Sequence, residues 1–279
     1  MKTVNSISGG KTSAYIAANY PADFNVFSLV RTNDKGCMFP DAKLRQIVSD
    51  RIGTEFIGTL EEDMIIYTIL DLEQYIGKEI HWVSGEPFED LIIRKGKYLP
   101  NKVARYCTTE LKTMPIVYWM YETLKEPCFM RFGYRANETK RAKNMMEKVD
   151  DQGFTTVKAT FMKLKDGRNS WGTYKYCKPE FPLIKDGIYK DKIENYWADK
   201  PIRFAEHNNC VGCWWRNEIF LKKMFEKHEN KMEWFASQEE IGKGTFKTDI
   251  TYRQIQNHKL QIELNFEDFN DCDSGYCGL

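Results

Sequence analysis

The 279-residue chain has almost no net charge: 41 Lys and Arg oppose 40 Asp and Glu, leaving +1. No global field recruits nucleic acid or an anionic membrane, so any basic surface has to be local. Long hydrophobic runs are missing too. None approaches the roughly 20 apolar residues that a membrane span needs, and the N-terminus enters strand-like sequence without a secretory leader. The expectation is a cytoplasmic protein with no membrane partner. Internal repeats and low-complexity segments are also absent. Eight cysteines, at 37, 107, 128, 177, 210, 213, 272 and 277, do not make a disulfide framework in a non-secreted chain of this size. Cys128, inside Cys128-Phe129-Met130, reads as a small core residue. The others sit beside polar residues, turns or one another, where reactive or ligating thiols are found.

Hydrophobic content of 42% and charged content of 29% are ordinary for a globular protein able to bury a substantial core. Short apolar runs at Val4–Ile7, Val26–Val30, Glu55–Ile57, Ile80–Val83 and Phe129–Phe132 read as strands. Helical spacing covers 41–52, with Leu44, Ile47, Val48 and Ile52 on one face, and 62–76. Strand–helix–strand order of this kind predicts an α/β fold, a parallel sheet covered on both faces, with ligands at the carboxyl ends of its strands. The second half is less regular. Residues 154–164 read as a strand pair or an extended arm before a turn at Lys165-Asp166-Gly167. Helices are expected at 191–198 and at 218–235, the latter broken near Glu229-Asn230. We therefore divide the chain into a nucleotide-binding α/β part, 1–150, and an irregular, α-rich part, 151–279.

The most informative stretch is Ser8-Gly9-Gly10-Lys11-Thr12-Ser13, between the first strand and a helix-compatible segment. Free backbone N–H groups and a helix N-terminus face an anion in such an arrangement. Glycines let the main chain approach a phosphate, Lys11 brings charge, and Ser8, Thr12 and Ser13 offer hydroxyls. The spacing fits neither a Walker loop nor G-x-G-x-x-G.

Further constellations follow in order. Asp34-Lys35-Gly36-Cys37-Met38-Phe39-Pro40-Asp41 is a glycine turn with a proline-started helix. In a helix, Arg105, Thr108 or Thr109, and Lys112 would share one face and grip a phosphate or sulfate; a solvated face is the plainer alternative. Gly133-Tyr134-Arg135-Ala136-Asn137-Glu138-Thr139-Lys140-Arg141-Ala142 leaves a strand with two arginines suited to phosphate oxygens. Cys210-Val211-Gly212-Cys213 is half of a zinc or iron–sulfur site, or a redox dithiol. The chain ends Cys272-Asp273-Ser274-Gly275-Tyr276-Cys277-Gly278-Leu279.

Taken in order, these segments resemble the sulfonucleotide (PAPS/APS) reductase-like branch of the adenine nucleotide α-hydrolase, or PP-loop, superfamily. Residues 8–13 resemble its S-G-G-x-[DT]-S loop, 34–41 its D-T-G-x-x-F-P-E-T segment without the Asp-Thr-Gly, and 107–115 its C-x-x-x-[RK]-K-x-x-P. Residues 133–142 resemble G-x-R-x-x-E-S-x-x-R-A, and the end is similar to E-C-G-L-H without its glutamate and histidine. Tyr106 stands where the cluster-bearing branch has another cysteine. The resemblance implies a doubly wound, five-stranded parallel sheet and an adenine nucleotide held by Ser8, Gly9, Gly10, Lys11, Thr12, Ser13, Arg105, Lys112, Arg135 and Arg141. It implies a [4Fe–4S] cluster on Cys107, Cys210 and Cys213, with Cys177 as fourth ligand; zinc is the lesser alternative. Cys277 would be the catalytic thiol, reducing PAPS or APS to sulfite with a thioredoxin-type reductant. The same family admits two alternatives. One is an ATP pyrophosphatase with Mg²⁺ that adenylates a nucleobase or nucleic-acid acceptor for sulfur or nitrogen transfer. The other is a non-catalytic nucleotide-binding regulator or defence-associated protein.

Overall fold

The computed structural model of the chain describes residues 1–257. Cys272 and Cys277 lie outside them. Nine strands are described: β1 (Thr3–Ile7), β2 (Phe24–Leu29), β3 (Arg31–Thr32), β4 (Gly58–Thr59), β5 (Ile80–Ser84), β6 (Cys128–Arg131), β7 (Thr156–Lys163), β8 (Asn169–Lys175) and β9 (Cys177–Glu180). Five of them form one sheet in the order β5-β2-β1-β6-β9. All its pairings are parallel, with Val4 opposite Phe24 and Met130, and Cys128 opposite Cys177.

Alternation along these strands feeds two cores, as a sheet covered on both faces requires. Val4, Val26 and Met130 point to one side, against Ile116, Val117 and Met120 of the helical run 106–124 and Ala142 and Met145 of helix Thr139–Met146. Ile7, Phe27 and Leu29 point to the other. There they meet α1 (Lys11–Asn19), α2 (Ala42–Ile52), α3 (Met64–Ile76) and helix Lys190–Trp197. Ile65, Ile66, Ile69 and Leu72 of α3 are fully buried here, each contributing about 1.5–3 kcal/mol. A third core joins α4 (Phe88–Arg94) to helices Glu218–Lys227, Glu229–Ile241 and Tyr252–Asn257. The doubly wound parallel sheet with an α-rich C-terminal region is the expected architecture.

Two strand assignments change. Residues 55–57 do not join the sheet; the neighbouring β4 pairs with β3 and, through Gly58, with Met38. The fifth strand is β9, in a stretch whose Pro179 argues against a central position. At the sheet edge, a proline costs no ladder hydrogen bond on its open side. Residues 154–164 resolve into β7, which pairs antiparallel with β8. Local signals elsewhere act as read. Asp41 caps α2 by accepting from the N–H groups of Lys43 and Leu44 at 2.9 and 3.1 Å. The helix expected at 218–235 breaks at His228. Along α2, Val48 is buried, whereas Ile47 is exposed.

Candidate functional site

The chain runs outward from β1 through β2 to β5, then returns past β1 to β6 and β9. The connections after β1 and β6 therefore diverge at the carboxyl ends of adjacent strands, which is where open α/β sheets bind ligands. The loop 8–13 occupies the first of these. Gly9 takes φ +79°, and a Cβ there would lie 2.7 Å from Ile65 Cγ2, so both its conformation and its packing against α3 require glycine. Ser13 Oγ accepts from the Ser8 N–H at 3.1 Å, lies 3.1 Å from Ser8 Oγ and donates to the Gly10 carbonyl at 3.0 Å. These bonds fold the loop back onto its helix. Gly10 is the N-cap of α1 and makes no side-chain cap bond. The positive end of the helix thus opens at the loop.

The second connection packs against the first. A Cβ on Gly133 would stand 3.3 Å from Thr12 Cγ2 and 3.5 Å from the Ser13 nitrogen. Two residues further on, Arg135 is almost fully buried; its Nε lies 3.1 Å from Glu138 Oε2, which also accepts from the Arg135 N–H at 2.8 Å. Glu138 bonds Arg141 as well, and the Arg141 guanidinium lies 4.4 Å from the Tyr134 ring centroid. One carboxylate therefore orients both arginines.

Gly10, Lys11, Thr12 and Arg135 line a single cavity of about 700 Å³, a size suited to a nucleotide. Lys190, Lys200 and Lys223 add positive charge to its wall, against Glu194 and Glu206. Lys11 is ion-paired with Glu194 of helix Lys190–Trp197, and the Trp197 indole donates to the Lys11 carbonyl at 2.9 Å. His207 also faces the cavity. Burial, aided by the Arg216 charge, pushes its pKa down to about 4, so the imidazole is neutral at pH 7. Glu194, Trp197 and His207 escape a sequence reading because they lie some 180 residues or more beyond the loop, in segments without a motif.

The remaining candidates lie apart from that cavity lining. Arg105 lies 5.9 and 5.5 Å from the ring centroids of Trp214 and Trp215. Burial lowers its pKa, and Arg141 and Tyr134 are close enough to act on it. Lys112 is 2.8 Å from Glu61 Oε1; burial opposes its charge, but Glu61 and the nearby thiols outweigh this and raise its pKa. The helix that was to align Arg105 with Lys112 widens into a π-helical turn over Thr109–Thr113. That wider turn removes the seven-residue register.

The expected metal centre is corrected. Among the described residues, no group of three or more His, Cys, Asp or Glu is placed to hold a metal ion. This overturns the [4Fe–4S] cluster, and zinc, on Cys107, Cys177, Cys210 and Cys213. Cys177 sits in β9 opposite the buried Cys128, its Sγ 3.3 Å from Thr155 Oγ1. It belongs to the core between sheet and helices. Burial raises the pKa of Cys107, Cys177 and Cys210.

Comparison with protein-family models, with curated proteins and with solved structures returns no match. The fold itself is consistent with the Rossmann-like superfamilies that bind adenine nucleotides, and compatible with a nucleotide-binding enzyme.

Proposed function

We propose that this chain binds an adenine nucleotide with its phosphates against residues 8–13 and acts as a sulfonucleotide reductase-like enzyme. The supporting observation is the convergence of Gly10, Lys11, Thr12 and Arg135 on one cavity at the switch point of the sheet. A thiolate attacks the sulfonate sulfur of PAPS or APS and the bond from sulfur to the phosphate oxygen breaks. The nucleotide departs with the electron pair. A second thiol from the reductant then releases sulfite and leaves a disulfide. The amide groups at the start of α1 and the Lys11 ammonium stabilise charge on the departing phosphate. Arg135, Arg141 and Arg105 supply further anion contacts, and Cys277 remains the candidate nucleophile.

A second chemistry is favoured by the loop, which keeps the Ser-Gly-Gly-Lys form of pyrophosphate-cleaving enzymes. There ATP is opened between its α- and β-phosphates, and an acceptor oxygen takes the adenylyl group. Incubation with PAPS, APS or ATP separates these readings. Sulfite formed with a thiol donor and lost in Cys277→Ser supports reduction; pyrophosphate formed from ATP only with a nucleobase-type acceptor supports adenylation. Binding without either product marks a nucleotide-binding regulator. If no nucleotide binds, or Lys11→Ala binds as well as the parent, the phosphate role of the loop is refuted.

A further inference from the structure

The hairpin of β7 and β8 stands outside the five-stranded sheet, and its two faces differ sharply. On the inner face Ala159 is fully buried. The Phe161 ring lies 4.7 Å from Tyr121, 5.4 Å from Tyr118 and 4.8 Å from Tyr174, seating the hairpin on the helical run 106–124. The outer face is exposed. Trp171 is 63% accessible there, although a large apolar side chain normally finds cover. Thr160 lies opposite Trp171, and Lys158 opposite Thr173.

Charge in this segment departs from that of the whole chain. Residues 156–175 carry Lys158, Lys163, Lys165, Arg168 and Lys175 against a single carboxylate, Asp166. Asp166 pairs with Arg168, and Lys175 lies 3.8 Å from Asp150. Lys158, Lys163 and Lys165 are exposed and have no ion-pair partner among the described residues. A solvated basic strand needs no indole at its centre. A polyanion with unstacked rings would use both features, because bases stack on aromatic side chains while lysines neutralise phosphates. A duplex buries its base faces and gains nothing from the indole.

We propose that the outer face of this hairpin binds single-stranded nucleic acid, with Trp171 stacking on a base and Lys158, Lys163 and Lys165 contacting phosphates. The site is separate from the cavity at residues 8–13, so it stands whether or not a nucleotide binds there. Fluorescence anisotropy with labelled 20-nucleotide oligo-dT and oligo-U, over a series of salt concentrations, tests it on the full chain. Trp171→Ala is expected to weaken binding about 5- to 150-fold, and Trp171→Phe to restore most of it. The triple variant K158A/K163A/K165A is expected to reduce the slope of log K against log salt by about 2. Urea midpoints for each variant check that the fold is kept. The proposal is overturned if oligonucleotides bind equally well to Trp171→Ala. It is also overturned if a duplex binds as tightly as a single strand, or if phosphatidylserine vesicles bind and oligonucleotides do not. ATP or PAPS affinity, read in parallel, should not change in these variants; its loss in the parent would count against the nucleotide site alone.

Discussion

Lys11, in the first turn of α1, is ion-paired with Glu194 from helix Lys190–Trp197 at the mouth of the cavity. Both side chains are about two-fifths exposed, so solvent screens the pair and it contributes little to stability. Its consequence is for binding: a phosphate reaching Lys11 competes with the Glu194 carboxylate. Lys11→Ala should weaken ATP or PAPS binding by about 1.5–3 kcal/mol. Glu194→Gln should strengthen it by up to ~1 kcal/mol. Isothermal titration of both variants checks the opposite signs, and a loss of affinity in Glu194→Gln would contradict the competition.

Gly9 tests the loop by packing rather than charge. Adding a Cβ forces a left-handed alanine and a clash with Ile65. Gly9→Ala should destabilise the fold by about 2–4 kcal/mol, read from the urea midpoint. An unchanged midpoint would mean that the loop is free to adopt another shape.

Glu138 neutralises the buried Arg135 and orients Arg141. Removing it takes a carboxylate partner from a buried guanidinium in a low-dielectric setting. Glu138→Ala is expected to cost about 3 kcal/mol in urea unfolding and to weaken nucleotide binding at the same time. Stability equal to that of the parent protein would show that other partners hold Arg135.

His207 links pH to stability. Its folded pKa is lowered from 6.5 to about 4, so between these values the unfolded chain binds more protons. Stability due to this group is complete above about pH 6.5 and declines as pH falls towards 4. Glu62, whose pKa burial raises from 4.5, acts in the opposite sense: its contribution is lost as pH rises. The difference between the parent and His207→Gln isolates the histidine, and parallel stability–pH curves would refute its shift.

Cys177 should behave as a core thiol. With its pKa raised by burial, it should resist alkylation in the native protein and react only on unfolding. Mass spectrometry of iodoacetamide-treated protein, with and without urea, reads this directly. Rapid native labelling at Cys177 would place it on an accessible surface instead.

Much of the frame was legible along the chain. Strand–loop–helix order at 3–19, the helix start at Asp41 and the apolar run Val4–Ile7 are local signals, and the structure keeps them. Cys177 shows where local reading stops. A cysteine beside Lys178 and Pro179 looks like a turn or a ligand, yet an edge strand tolerates the proline and pairing with β6 buries the thiol. Likewise, a lysine and an arginine seven residues apart share a face only in a regular helix, and the widened turn at Thr109–Thr113 breaks that register.

By itself, the sequence determined the doubly wound α/β class and the loop with free amides at a helix start, because hydrophobic period and glycine placement act over a few residues. Only the tertiary structure decided which distant side chains meet that loop. Arg135, Glu194 and His207 come to one cavity, whereas Lys112 is neutralised by Glu61 and Cys177 enters the core. Pairings of that kind depend on the order of strands in the sheet and the burial of charge, and no short stretch of residues carries either.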